Sequence, residues 1–164
     1  MIGMTKYDIK LEETFLDRAR EQAVPLRFTL ANRERVTGVV VSISRYDLGI
    51  QADSAAVALP KKEIFHISST KPVLEDEFFA EVPDTTSAVL KSRVQDEFLA
   101  RYITEKTLAL ILLTNGEEIR GVIEGYDGFT VSIRTTRGHT LIYKHGICSI
   151  GPGYRRHGDR RDAK

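Results

Sequence analysis

The side chains of this sequence that could carry chemistry are few and scattered. Four histidines, His66, His139, His145 and His157, stand far apart, and the single cysteine, Cys148, has no second thiol to pair with. Nothing in their spacing suits a tetrahedral metal site, and there is neither a glycine-rich phosphate loop nor a nucleophile elbow. No metal, no cofactor and no enzyme activity are therefore expected, and Cys148, set in an apolar strand, reads as packed rather than reactive. What recurs is a cationic connection: Tyr143-Lys144-His145-Gly146 in the second half and Lys61-Lys62 in the first. Each has a plain reading. Lys61 and Lys62 can keep a strand edge soluble, and a histidine in a tight connection is commonly just solvated or hydrogen-bonded. Phe129 alternates with Val131 and Ile133 as a core residue would, Tyr46 suits any strand, and Gln95 can cap a helix.

Two copies of one pattern must position these groups. A constant shift of 83 positions aligns the halves without a gap: Phe15 falls on Phe98, Leu30 on Leu113, Asn32 on Asn115, Ile50 on Ile133, Lys61 on Lys144 and Ile67 on Ile150. In the second copy a helix is expected over 95–104, with Asp96 near its N-terminus, and strands over 108–113, 118–125, 129–133, 140–143 and 147–150. Asn115-Gly116 and Asp127-Gly128 mark turns. The first copy repeats the order with a helix over 12–21 and strands near 26–30, 35–42, 46–51, 57–59 and 64–67. Arg33 stands there where the second copy has Gly116, so the chain must turn without glycine's freedom. Five strongly bent antiparallel strands in so short a stretch suggest a small, partly open barrel whose edges must be covered.

The expected organisation is a first module at 8–69, an acidic linker at 70–90 that carries a short helix from Ser87 onward, a second module at 91–152 and a basic tail at 153–164. Linker and tail are expected to be solvated. With 24 Lys+Arg against 23 Asp+Glu the net charge is +1, so a polyanion site must come from local clustering. The start lacks an apolar segment of signal-peptide length, and the run from Leu108 to Leu113 is far short of the roughly 20 residues of a spanning helix, so a cytoplasmic protein without membrane contact is expected.

Gln95-Asp96-Glu97-Phe98-Leu99, Asn115-Gly116, Tyr126-Asp127-Gly128-Phe129 and Tyr143-Lys144-His145-Gly146-Ile147 follow one another as in the bacterial RNA chaperone family Hfq, which the second copy resembles from Val94 to Pro152. The ungapped repeat carries the resemblance back to the first copy. It implies a mainly β fold of two tandem Sm-like modules, each a helix followed by a bent five-stranded open barrel. Such modules add strand to strand into a ring of six, so a homotrimer forming a pseudo-hexameric ring is implied. Uridine-rich single-stranded RNA would bind around the pore, with bases stacked on aromatic rings. Those roles fall on Gln95, Phe129, Lys144 and His145 in the second copy. In the first they fall on Tyr46, Lys61 and Lys62, with Glu12 at the place of Gln95, where a carboxylate would repel phosphate. Two unequal pocket classes are expected. Leu112 and Thr29 replace the usual platform for adenine-rich strands, and Glu117 and Glu118 add negative charge near it. The function implied is an RNA chaperone or post-transcriptional regulator; the alternative is an Sm-fold ring scaffold for proteins with little RNA binding.

Overall fold

The computed structural model of the protein describes residues 6–69, 71, 73–74 and 94–153. The helix expected from Ser87, most of the acidic linker and the basic tail from Tyr154 lie outside the described residues.

Helix α1 (Lys6–Glu21) buries Leu11, Phe15, Leu16 and Ala19, the spacing of one face of a 3.6-residue period. Ala23, in the left-handed region at φ 51°, ends it, and Lys106 at φ 53° does the same after α2 (Val94–Glu105). The first five strands are β1 (Leu26–Leu30), β2 (Arg35–Ile43), β3 (Asp47–Gln51), β4 (Ala56–Pro60) and β5 (Ile64–Ser69). The second five are β6 (Leu108–Leu113), β7 (Glu118–Tyr126), β8 (Thr130–Thr135), β9 (Gly138–Tyr143) and β10 (Ile147–Pro152). A single 3-10 turn links the fourth and fifth strands of each set, Lys61–Glu63 and Lys144–Gly146. The fold is mainly β, built as two helix-plus-strand modules.

All the strands form one antiparallel sheet in the order β10-β6-β7-β8-β9-β5-β1-β2-β3-β4. Pairing repeats at the sequence shift: Leu26 faces Gly38 as Ala109 faces Gly121, and Asp47 faces Pro60 as Thr130 faces Tyr143. Even the bulge in the bent second strand recurs, at Val40/Ser42 and at Ile123/Gly125.

Alternation alone misplaces the start of both third strands. Tyr46 and Phe129 belong to side-chain-capped turns, and the strands begin one residue later, at Asp47 and Thr130. Ser44 Oγ accepts the Asp47 N–H at 3.0 Å, while Asp127 Oδ1 accepts those of Phe129 and Thr130 at 2.8 and 2.7 Å. The caps turn both aromatic rings out of the core.

The hairpin before β2 turns at Arg33, which sits at φ 75°, whereas Gly116 takes φ 91° before β7. Asn32 and Asn115 support these turns, their Oδ1 accepting the N–H of Glu34 and Glu117 at 2.9 and 3.0 Å. Val73 and Leu74, within the stretch expected to be a solvated linker, are buried in the first core.

The modules meet where β5 runs antiparallel to β9, with His66 opposite Ile142 and Ser68 opposite Thr140. Their cores exchange residues there. Leu141 and Tyr143 of β9 complete the first core, and Phe65 of β5 belongs to the second. A Cβ on Gly146 would stand 2.8–2.9 Å from the Phe65 ring, so the bare glycine backbone is what lets that ring seat across the joint. Cys148 corrects the sequence reading: it is exposed, on a strand, β10, that no second strand covers among the described residues.

Candidate nucleic-acid interface

The aromatic and cationic groups expected to bind are held by the same backbone contact in both modules. The Lys61 N–H donates to the Tyr46 carbonyl at 2.7 Å, and the Lys144 N–H to that of Phe129 at 2.7 Å. Each 3-10 turn is therefore tied by a lysine backbone N–H to the turn that bears an outward aromatic ring. Tyr46 is 71% exposed and Phe129 50%. Arg45 lies over the Tyr46 ring, 5.7 Å from its centroid. The Lys144 ammonium lies 5.1 Å over the Tyr126 ring, and the residue is largely buried. Lys62 is exposed, and Gln95 stands in the first turn of α2.

Glu12 is not a free charge facing solvent. It is 6% exposed, and its Oε2 accepts the Tyr143 hydroxyl at 2.7 Å and pairs with Lys61 Nζ at 3.0 Å. Its N–H donates to Asp127 Oδ2 at 2.8 Å. The first module thus places its helix against the β7–β8 turn of the second, the turn that carries Phe129. Burial pushes the Asp127 carboxyl up to about 6, although the N–H groups of Glu12, Phe129 and Thr130 and the Thr130 hydroxyl pull it down. Burial also lifts the Tyr143 phenol well above its ordinary value, and the Glu12 carboxylate beside it adds to the effect.

His145 spans the same joint. Its Nε2 lies 2.9 Å from the Ile64 carbonyl, which only accepts, so that nitrogen carries the proton. The ring stacks on Tyr143, with centroids 5.4 Å apart and planes 11° apart, and tilts against Phe65. The expected grouping by copy is therefore crossed. Contacts of the second module's Asp127 and His145 run to the first module, and Lys61 of the first is tied to Glu12 and, through it, to Tyr143. Asp127 and Tyr143, central to this network, were legible as a turn residue, a strand end and parts of the motifs that carry the resemblance, and not as partners of Glu12.

A second feature spans the joint. A groove of about 670 Å³ is lined by Thr29, Arg35, His66, Glu117, Arg120 and Arg137, among others. Glu117, expected to add negative charge, accepts from Asn115 at 2.9 Å and faces His66 Nε2 at 3.2 Å and Arg35 at 3.5 Å. Burial holds the His66 pKa below 6.5 and outweighs the opposing pull of Glu117. Thr29 lines this groove and Leu112 does not.

Residues 94–157 match the sequence profile of the Hfq protein family. The RNA-binding protein Hfq of Bacillus thuringiensis (strain Al Hakam) is 42% identical to this chain over 59 residues, which span 36% of this chain and 80% of that protein. This chain belongs to the Hfq family. RNA-binding protein Hfq of Bacillus mycoides (strain KBAB4) matches with the same identity and coverage. A solved Hfq structure, described as that of the pleiotropic translational regulator, shares 34% identity over 36% of this chain and 98% of its own, with a TM-score of 0.35. The Hfq match falls on the second module. The helix, five strands and capped turns of the first follow the same order and register.

Proposed function

We propose that this protein is an Hfq-like RNA-binding protein that takes uridine-rich single strands and acts as an RNA chaperone in post-transcriptional regulation. The observation that carries this reading is the repeated pairing of an exposed aromatic ring with a lysine-bearing turn, Tyr46 with Lys61 and Phe129 with Lys144. A π-face accepts any base, contributing roughly 1–3 kcal/mol, while a lysine on the same surface attracts phosphate or a base carbonyl. Gln95, His145 and Lys62 belong to the same surface in this reading. The relatives' name, RNA-binding protein Hfq, supports it.

The working form is a homotrimer joined by strand edges. Among the described residues the internal joint leaves β4 and β10 as the open ends of the sheet. Moving the β5–β9 register by 83 positions pairs Ser149 with Leu59, Ile150 with Ala58 and Gly151 with Val57 of the next chain. Three chains closed this way supply the six modules of the family's ring.

A ring scaffold with little RNA binding is the second reading, favoured by the neutralisation of Lys61 by Glu12. Fluorescence anisotropy of short uridine and adenosine oligomers at fixed salt separates the two. The expected result is a preference for uridine in the wild type, and a loss of roughly 1–3 kcal/mol per stacked base when Tyr46 and Phe129 are both changed to Ala. If neither oligomer binds near physiological salt, the scaffold reading replaces the RNA-binding one.

A further inference from the structure

We infer that RNA is taken at the seams between chains and turned away from the joint inside each chain, with Glu12 as the residue that closes the internal site. This rests on the RNA-binding reading above. At the internal joint Glu12, Lys61, Asp127 and Tyr143 form one network. Lys61 Nζ and the Tyr143 hydroxyl converge on Glu12 Oε2 at 3.0 and 2.7 Å, and the Glu12 N–H binds Asp127 Oδ2 at 2.8 Å. The ammonium that would meet a phosphate or a base carbonyl is already engaged by a buried carboxylate. A carboxylate offers acceptors alone, so it cannot donate to the carbonyl oxygens of a uracil edge. Over these four positions the formal charge is −1, from two carboxylates, one ammonium and one phenol.

Shifted by 83 positions, the same four places hold Gln95, Lys144, Ser44 and Pro60, whose formal charge is +1. In the ring these places fall on two chains. Gln95 and Lys144 come from one, and Ser44 and Pro60, with the exposed ring of Tyr46, come from the next. Ser44 keeps the turn-capping task of Asp127 without its charge, since its hydroxyl accepts the Asp47 N–H. An amide such as Gln95 can both donate and accept, and it carries no charge at the position where the joint has the Glu12 carboxylate. A polyanion therefore meets a cationic seam and an anionic joint in alternation, and the seam site is incomplete until a second chain supplies its turn. RNA binding and ring assembly are accordingly coupled, each favouring the other.

The test is a fluorescence-anisotropy titration of a short uridine oligomer with the full chain as wild type, Glu12→Gln and Gln95→Glu, with light scattering on the same samples. Gln95→Glu makes the seam resemble the joint and is expected to weaken binding by about tenfold or more. Glu12→Gln keeps an acceptor for Tyr143, opens the joint, and is expected to strengthen binding by about tenfold and to raise the uridylate bound per chain at saturation. If the wild type binds and neither substitution moves the affinity, the seam assignment is overturned while RNA binding stands. If neither the wild type nor Glu12→Gln binds, both fall together. Should Gln95→Glu fail to assemble, Glu12→Gln decides alone, and no gain in that variant overturns the inference.

Discussion

The joint between the modules and the two open edges of the sheet are made of equivalent residues in opposite conditions. At the joint Phe15 is 3% exposed and Tyr143 2%, and Phe65 is buried against Gly146. The counterparts 83 positions away are uncovered: Phe98 is 42% exposed, and Pro60 and Cys148 are exposed as well. The chain completes one joint internally, and the strand-edge trimer proposed above would build another from β4 and β10. Apolar residues left open at those counterpart positions have a physical explanation in a further strand pairing, which an unpaired edge invites. The equivalence ends at the charged groups. The joint has Glu12, Asp127 and His66 where the edges supply Gln95, Ser44 and Ser149.

The comparison breaks most severely at the core. Leu141, fully buried although it lies on β9, completes the core of the first module, so Leu141→Asp should cost about 4 kcal/mol or more in denaturant unfolding. Its counterpart Ala58 is exposed, and Ala58→Asp should leave the unfolding of the chain within about 0.5 kcal/mol while converting a trimer to single chains in light scattering. Equal effects at both positions would show that joint and edge are not halves of one design.

Lys61→Ala leaves the Glu12 carboxylate buried with only the Tyr143 hydroxyl on its Oε2, and should cost about 2–3 kcal/mol by chemical denaturation. A loss near zero would mean that the pair is fully solvated in practice.

The pH dependence follows next, and two groups at the joint contribute to it. The raised Asp127 pKa, about 6, gives a contribution that is fully present below the ordinary value near 3.8 and lost as pH rises through 6. His66 acts with the opposite sign. Its pKa is held below 6.5, so its contribution is present above that value and lost as pH falls through the lowered one. Asp127→Asn should flatten the stability profile between pH 4 and 6. It should also lower stability throughout if the amide nitrogen is left facing the Glu12 N–H. An unchanged slope in that variant would remove Asp127 as its source.

Cys148 reports on the seam. Its thiol should react readily with a bulky maleimide in dilute, dispersed chains and slowly once they assemble, and chains labelled beforehand should fail to form the ring. Labelling at one rate in both states would place the edge in solvent. The smallest effect is expected at the first hairpin, where Arg33→Gly relieves a non-glycine residue at φ 75° and should stabilise the chain by up to about 1 kcal/mol in thermal unfolding.

Much of the fold was legible because the module is written twice. The apolar run before Asn115-Gly116 and its repeat in the first copy marked β6 and β1 to the residue, and the ungapped shift anticipated a pairing register that repeats at Leu26–Gly38 and Ala109–Gly121. Tyr46 and Phe129 were misplaced by one residue, since a period of two cannot register that Ser44 or Asp127 captures the next N–H groups and ends the alternation early. Cys148 was read as packed because a strand's composition does not reveal whether it will have a neighbour on both sides. Glu12 was read as a repelling surface charge because its partner Tyr143 lies 131 positions away, on the other module.

Local chemistry was thus enough for the order of helices and strands, for the Asn-supported hairpin turns and for the family, all of which depend on neighbours in the chain and on side-chain periodicity. Which residues share a pocket depends instead on β5 meeting β9. That contact brings Glu12 to Tyr143 and Asp127 and turns an apparent surface carboxylate into the centre of a buried network. Coulomb and hydrogen-bond energies fall off with distance in space, and separation along the chain does not measure that distance.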